Sequence, residues 1–364
     1  MKKILVVATR QIGDVLLTTP LIHAARQQWP EAEIDVIGLA GTLGMLQGNP
    51  DIHALITTQP SKGWRDTLAV LKTIWKRYDL ALVTQPSDRA HLIGWAASRQ
   101  HRSGIIPEKN SSNWWKKRIL SHVVISEGDA GTVHVVAEKL ALLAPWCQPD
   151  VQAAQVLPPP AQALPAALDA VIAPGAIVVH APSMWPYKQW PIAHFRELLV
   201  RLIAEGHQIV LTGSASSADQ DCIQQLRGLA PSPQLVDTSG QLNFNQLVGL
   251  FRRASLYIGP DTSVTHLAAA SGIRVLALFG PTNPVRWGPW PSAPRITQAY
   301  VGRAEKQTVH SITLLQSSLP CVPCSKAGCE DHIQSRSDCL LEMSAERVSF
   351  HAIAIQSDYQ NIKK

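Results

Sequence analysis

Two hydrophobic rhythms alternate along this chain: short continuous apolar runs, and longer stretches where apolar residues recur every three or four positions. The run at 4–8 (Ile-Leu-Val-Val-Ala) has the form of a strand buried on both faces. A polar loop follows, Thr9-Arg10-Gln11-Ile12-Gly13. Asp14 then stands where an N-cap belongs, ahead of Val15, Leu16, Leu17, Leu21, Ile22 and Ala25 at helical spacing. Further strands are expected at 34–38 and 80–83, and strand–helix–strand at this spacing is a parallel α/β layer. The pattern breaks at 156–174, where Pro158, Pro159, Pro160, Pro165 and Pro174 lie among alanines. It then restarts, with strands expected at 177–180, 209–212, 256–258 and 275–279 and helices at 195–205, 218–229, 246–254 and 264–270.

These rhythms predict an α/β chain of two domains. The first spans 1–157 and a proline-rich linker spans 158–174. The second spans 175–345, with a cysteine-rich loop at 319–340, and the segment 346–364 is expected to pack back on the first domain. A length of 364 residues allows each domain its own core. With 46% hydrophobic and 16% charged residues, the chain is not of the disordered class. No apolar run approaches the roughly 18 residues of a membrane span. Arg10 ends the amino-terminal run too early for a signal peptide, so a soluble, cytoplasmic protein is expected. The net charge of +6 is mild and suits phosphates, sugar nucleotides or acidic lipid headgroups better than nucleic acid. In open α/β sheets ligands sit beyond the carboxyl ends of the strands, which directs attention to the loops there and to a cleft between the domains.

Three such loops carry candidate chemistry. At 257–270 a strand runs through Gly259-Pro260-Asp261-Thr262-Ser263 into a helix, whose free N–H groups make an anion site. The alternative is that Asp261 or Thr262 merely caps the helix and that His266 is a core histidine. At 181–191 the loop holds Ser183 and Lys188, where a diphosphate would find a cation, although a loop lysine is more often solvated. The loop at 10–14 has neither G-x-G-x-x-G nor a P-loop, so Asp14 is either a general base or an N-cap. Asp219-Gln220-Asp221 spells D-x-D but falls on an expected helix and reads as a solvated face. Cys321, Cys324, Cys329 and Cys339 are spaced C-x2-C-x4-C-x9-C and are candidate ligands of a structural zinc or iron ion.

Taken together, Arg10-Gln-Ile-Gly-Asp14 with its continuation to Pro20, Lys188-Gln-Trp-Pro191, Gly259 to His266 and Phe279-Gly-Pro-Thr-Asn-Pro284 resemble glycosyltransferase family 9, the heptosyltransferases of lipopolysaccharide core synthesis. The resemblance spans nearly the whole chain. It implies a GT-B fold of two Rossmann-like domains, the first for acceptor and the second for nucleotide sugar. It implies inverting transfer of heptose from ADP-L-glycero-D-manno-heptose to the lipopolysaccharide inner core, with no cofactor required for the chemistry. By position, Asp14 matches the catalytic base, Lys188 the phosphate contact, and Asp261, Thr262, Ser263 and His266 the donor loop, with Ser183 beside them and Arg10 on the acceptor side. Where the family often carries an acidic residue for the ribose, this chain has Ser214-Ala-Ser-Ser217, and Asp219 is the substitute. The implied partners are ADP-heptose and a Kdo- and heptose-bearing lipid A at the cytoplasmic face of the inner membrane, which the enzyme meets as a peripheral protein. Two other readings stay open: a transferase that heptosylates a protein such as an autotransporter, and a non-catalytic sugar-nucleotide-binding scaffold.

The stretch 99–118 sets Arg99, Arg102, Lys109, Lys116, Lys117 and Arg118 against a single Glu, beside Trp114 and Trp115. Either this is a solvated loop with both tryptophans in the core, or its cations meet the anionic groups of the acceptor lipid. The second is the expectation, because the resemblance places the acceptor in this domain.

Overall fold

A computed structural model describes residues 1–59, 64–108 and 113–363. The chain divides into two compact units, Met1–Pro159 with Pro294–Thr297, and Pro160–Ala293 with Gln298–Lys364. The boundary falls inside the proline-rich stretch. Two corrections follow. The segment Pro294–Thr297 belongs to the first unit, where Arg295 bonds Asp150 and Gln152 at 2.7 Å each. The last helix, Ala345–Lys363, packs within the second unit instead of returning to the first, because Val348 and Ala352 join the core beside helix Ile192–Ala204.

The first unit is a six-stranded parallel sheet: β1 Lys3–Ala8, β2 Glu33–Leu39, β3 Ala54–Thr58, β4 Tyr78–Val83, β5 Ser98–Pro107 and β6 His122–Ser126, in the order β3-β2-β1-β4-β5-β6. The second unit has β7 Ile177–His180, β8 Ile209–Thr212, β9 Leu235–Asp237, β10 Leu256–Pro260, β11 Arg274–Leu278, β12 Lys306–Val309 and β13 Ile312–Leu315. Its order is β12-β13-β11-β10-β7-β8-β9, parallel except for the β12–β13 hairpin. Each sheet reverses direction next to its first strand, at β1/β4 and at β7/β10. Such a switch point opens a crevice at the carboxyl ends of the strands, where loops diverge to opposite faces.

The central strands are those with continuous apolar runs, and they are fully buried: Ile4–Val7, Leu80–Val83, Ile177–Val179 and Val275–Leu278 have no solvent exposure. The strands without such a run, β3, β5, β6 and β9, have another cause. β3, β6 and β9 lie at or next to an edge, and the amino half of β5 is open to solvent, so neither selects continuous apolar residues. Among the described residues, no helix is long and apolar enough to cross a membrane.

Candidate functional site

In the second unit three loops leave the adjacent strands β7, β10 and β11 and meet. The loop after β7 turns through Pro186–Lys188 and carries Lys188; the loop after β10 carries Asp261; the loop after β11 carries Thr282. Lys188 Nζ lies 2.6 Å from Asp261 Oδ2, and the Thr282 hydroxyl donates to the same oxygen at 2.7 Å. His266 Nε2 stands 3.9 Å from the other carboxylate oxygen. Asp261 is buried while the Lys188 side chain keeps 23% exposure, so the lysine is the solvent-facing member of the pair. Burial pushes the Asp261 carboxyl up, but the charges of Lys188 and His266 and the hydrogen bonds from Lys188 and Thr282 outweigh it. The group is therefore held below the usual carboxylate range.

Helix Ser263–Ala270 starts directly beside this pair. Its N-cap, Thr262, is extended and makes no side-chain cap, and the Asp261 carboxylate is engaged by Lys188 and Thr282. The capping alternative for these two residues is thereby set aside, and the amides of the first turn are left without a side-chain partner. Thr265 ties the turn down from within, bonding the Pro260 carbonyl and the Tyr257 hydroxyl. Gly259 is needed there because a Cβ would collide with that hydroxyl. The result is a rigid helix start that favours an anion, with one partly exposed ammonium beside it. Because Asp261 already neutralises much of the Lys188 charge, the helix start supplies a substantial share of any attraction for a diphosphate.

The neighbouring loops are bound into their own turns. Ser183 and Trp185 close a small turn, with the Ser183 hydroxyl 3.2 Å from the Trp185 carbonyl. Asp219 accepts from the Ser214 amide at 2.7 Å and lies in the first turn of helix Ser217–Gln224, so its carboxylate braces the loop after β8. His180, at the end of β7, faces the Thr212 hydroxyl at 3.1 Å, and burial pushes its pKa down to about 4.

In the first unit Asp14 is not an N-cap. Gln11 holds that position for the short helix Ile12–Leu16, and Asp14 lies in its first turn with no capping bond. Its side chain is only 15% exposed and sits 3.8 Å from Arg10 Nε. The sequence reading missed the residue that holds this helix. Lys139, fully buried, donates to the Asp14 carbonyl at 2.6 Å and to Thr18 Oγ1 at 3.0 Å, and Thr18 also bonds that carbonyl at 2.8 Å. Pro20 lacks an amide hydrogen and cannot continue the ladder, so the helix ends here and a buried cation meets its exposed carbonyl. Across the β1/β4 switch point, Gln85 bonds Thr9 and leaves Oε1 buried without a hydrogen-bond partner among the described residues.

The basic stretch divides. Lys116 is buried, paired with Asp88 at 2.7 Å and with the Pro86 carbonyl at 2.7 Å, so it cannot meet a lipid headgroup. Arg102 is spent on the carbonyls of Ser98 and Ile119. Arg99 is exposed but belongs, with Arg102, to the amino-terminal half of β5, away from the strand ends that carry Asp14. Lys117, Arg118 and Trp114 are exposed; Trp115 is half-buried against His91. Lys109 lies outside the described residues. The four clustered cysteines are free thiols. Burial above all, with its three companions, pushes Cys339 up to about 12, yet among the described residues no group of His, Cys, Asp and Glu could hold a metal ion.

The family model for glycosyltransferase family 9 (heptosyltransferase) matches residues 67–317. Lipopolysaccharide heptosyltransferase 3 of Escherichia coli (strain K12) is 28% identical over 328 residues, covering 86% of this chain and 92% of that one. Among solved structures, E. coli ADP-heptose lps heptosyltransferase II superposes with a TM-score of 0.71 at 21% identity, over 99% of this chain and 100% of that one. The iron-containing dodecameric glycosyltransferase TibC from enterotoxigenic E. coli H10407 superposes with a TM-score of 0.59 at 14% identity, over 98% of this chain and 76% of that one.

Proposed function

The chain belongs to glycosyltransferase family 9, and from that premise we propose that it transfers heptose with inversion from ADP-heptose to the inner core of lipopolysaccharide. The observation that carries the reading is the uncapped start of helix Ser263–Ala270 beside the Lys188–Asp261–Thr282 cluster, which has the chemistry to hold a diphosphate. The curated relative that acts in lipopolysaccharide synthesis and the ADP-heptose enzyme among the solved structures support this donor and this acceptor class.

Each residue then has a defined task. Lys188, oriented by Asp261, bonds a phosphate oxygen of ADP. The first-turn amides of Ser263 to Thr265 stabilise the charge that gathers on ADP as the bond between the anomeric carbon and the phosphate oxygen breaks. Asp14 takes the proton from the acceptor hydroxyl as that oxygen forms the new glycosidic bond from the opposite face. The products are the heptosylated acceptor, ADP and one proton. Ser183 and His266 border the donor, Asp219 braces the loop on the adenosine side, and Arg10 serves the acceptor and orients Asp14. No step passes through a metal, and the four cysteines are assigned no part in transfer. The acceptor is lipid-borne, so the enzyme works peripherally at the cytoplasmic face of the inner membrane.

The test is incubation with ADP-heptose and heptosyl-Kdo2-lipid A, following ADP release and acceptor mass. One heptose gained per ADP released is the expected result. Transfer only to an autotransporter passenger, or ADP release without any acceptor gain, overturns the lipid acceptor.

A further inference from the structure

Helices Trp64–Ile74, Asp88–Ala97 and Asn113–Ile119 connect β3 to β4, β4 to β5 and β5 to β6. All three crossovers step in the same direction across a parallel sheet, so right-handed connection places them side by side on one face. Their inner residues, among them Ile74, Ala90, Ile93 and Ala97, close the core. Their outer side has an unusual make-up. The three tryptophans that are exposed among the described residues all belong to this layer: Trp75 at 48%, Trp95 at 39% and Trp114 at 65%. Leu68 and Leu92, on two of the same helices, are exposed as well. Trp75 and Trp95 meet edge to face at 5.5 Å, and Lys76 Nζ caps both rings at 5.1 and 4.6 Å. Lys117 and Arg118 project from the same helix as Trp114.

The stretch of sequence that builds the layer is also basic, although Lys116 and Arg102 are turned inward. Residues 64–118 hold 11 Lys or Arg against 4 Asp or Glu, a net +7, while the whole chain carries +6. The excess positive charge of the molecule thus resides entirely in the segment that builds this layer.

We propose that the outer face of this three-helix layer docks on an anionic lipid bilayer. Indole rings favour the headgroup region, where an apolar ring and a polar N–H are both accommodated, and cations around them are drawn to anionic headgroups. A nucleic acid fits less well, since Trp75 and Trp95 pack on each other and lie under Lys76 instead of offering open faces to bases. The proposal rests on the lipid-borne acceptor proposed above; it keeps Trp114, Lys117 and Arg118 of the 99–118 stretch and extends the docking surface to the two helices before it.

Cosedimentation of the full chain with vesicles tests it. Binding to phosphatidylglycerol-containing vesicles, absent from pure phosphatidylcholine and weakened by salt, is expected. Each lost surface cation is worth roughly fivefold in partitioning, so Lys117→Gln with Arg118→Gln should lower binding on the order of 20-fold. Trp75→Ser/Trp95→Ser/Trp114→Ser should abolish it; should that variant fail to fold, Trp114→Ser alone, at the most exposed ring, must still weaken binding. ADP affinity should not change in any of them. Equal binding to both vesicle types, or variants that bind as the parent does, overturns the docking face. So does a self-associating parent whose variants become monomeric without any vesicle binding. Intact transfer to a deacylated, soluble acceptor alongside absent vesicle binding refutes docking and leaves the function standing. Vesicle binding without any heptose transfer does the reverse.

Discussion

The two units share the strand order around their switch points and differ in what they place there. Counted from its own first strand, the six-stranded sheet runs 3-2-1-4-5-6 and the seven-stranded sheet 3-2-1-4-5-7-6, and in each a candidate site residue sits on the loop after the first strand. In the second unit that loop joins two others in a closed, buried arrangement, with Asp261 bonded by Lys188 and Thr282 before any ligand arrives. In the first unit Asp14 has, among the described residues, only Arg10 at 3.8 Å near its carboxylate, and its anchoring falls on its backbone carbonyl, through Lys139 and Thr18. A pre-formed charge cluster suits tight binding of a constant diphosphate, because little reorganisation is needed. A carboxylate held by its backbone, with the side chain left to act, suits proton transfer. In the proposed function one sheet plan serves two tasks, and the loops decide which.

That contrast can be broken most forcefully at Asp14. General-base catalysis is worth roughly 10²–10⁴-fold, so Asp14→Asn should lose about that much turnover with an unchanged melting temperature, since Asp14 caps nothing. Loss of stability instead would restore a structural role. Next comes the ion pair. Lys188→Met removes a charge-assisted phosphate bond and should weaken ADP binding by roughly 10–100-fold. It also leaves a buried carboxylate short of its main partner, costing about 1–3 kcal/mol. Adding Asp261→Asn should recover most of the stability and none of the ADP affinity. If both return together, the lysine does not touch the donor.

Lys139 sharpens the other side of the comparison. Lys139→Met leaves the Asp14 carbonyl without its cation and should cost about 1–3 kcal/mol in thermal unfolding. Turnover should fall while the donor KM stays fixed, and Lys139→Arg should restore part of both. An unchanged kcat in a correctly folded Lys139→Met would show that the buried lysine supports the fold alone.

The smallest effect is the pH dependence that His180 adds in the second unit. His180 is held neutral, its pKa down to about 4 against an ordinary value near 6.5. The unfolded chain therefore takes up a proton before the folded one does. Its contribution to stability is complete above about pH 6.5 and is lost as the pH falls toward 4, at roughly 1 kcal/mol per pH unit at most. Asp261 acts in the same direction only below about pH 4, because its folded pKa lies beneath the unfolded value. His180→Asn should flatten the decline in melting temperature between pH 6.5 and 4, and an unaltered slope would remove His180 from the explanation.

Residues that follow an apolar strand run could be read directly. Asp14, Lys188 and Asp261 each stand a few positions after β1, β7 and β10, and the strand run itself points to the carboxyl-end loops. The basic stretch could not be read this way. Whether a lysine is solvated or buried depends on a partner supplied elsewhere: Lys116 finds Asp88, and Lys139 finds a carbonyl 125 residues away. Nor do composition and spacing reveal that Arg102 turns back onto the carbonyls of Ser98 and Ile119. Thr282 lies within the Phe279–Pro284 segment, yet its bond to Asp261 exists only because β10 and β11 are neighbours.

The proposed function assigns donor binding to the second unit and proton removal to the first. Calorimetric titration of ADP into Asp14→Asn and Lys188→Met, side by side with the parent, tests it most directly. Asp14→Asn should bind ADP with the parent's affinity while Lys188→Met binds it roughly 10–100-fold more weakly. Equal weakening in both variants, or none in Lys188→Met, would contradict the division of labour.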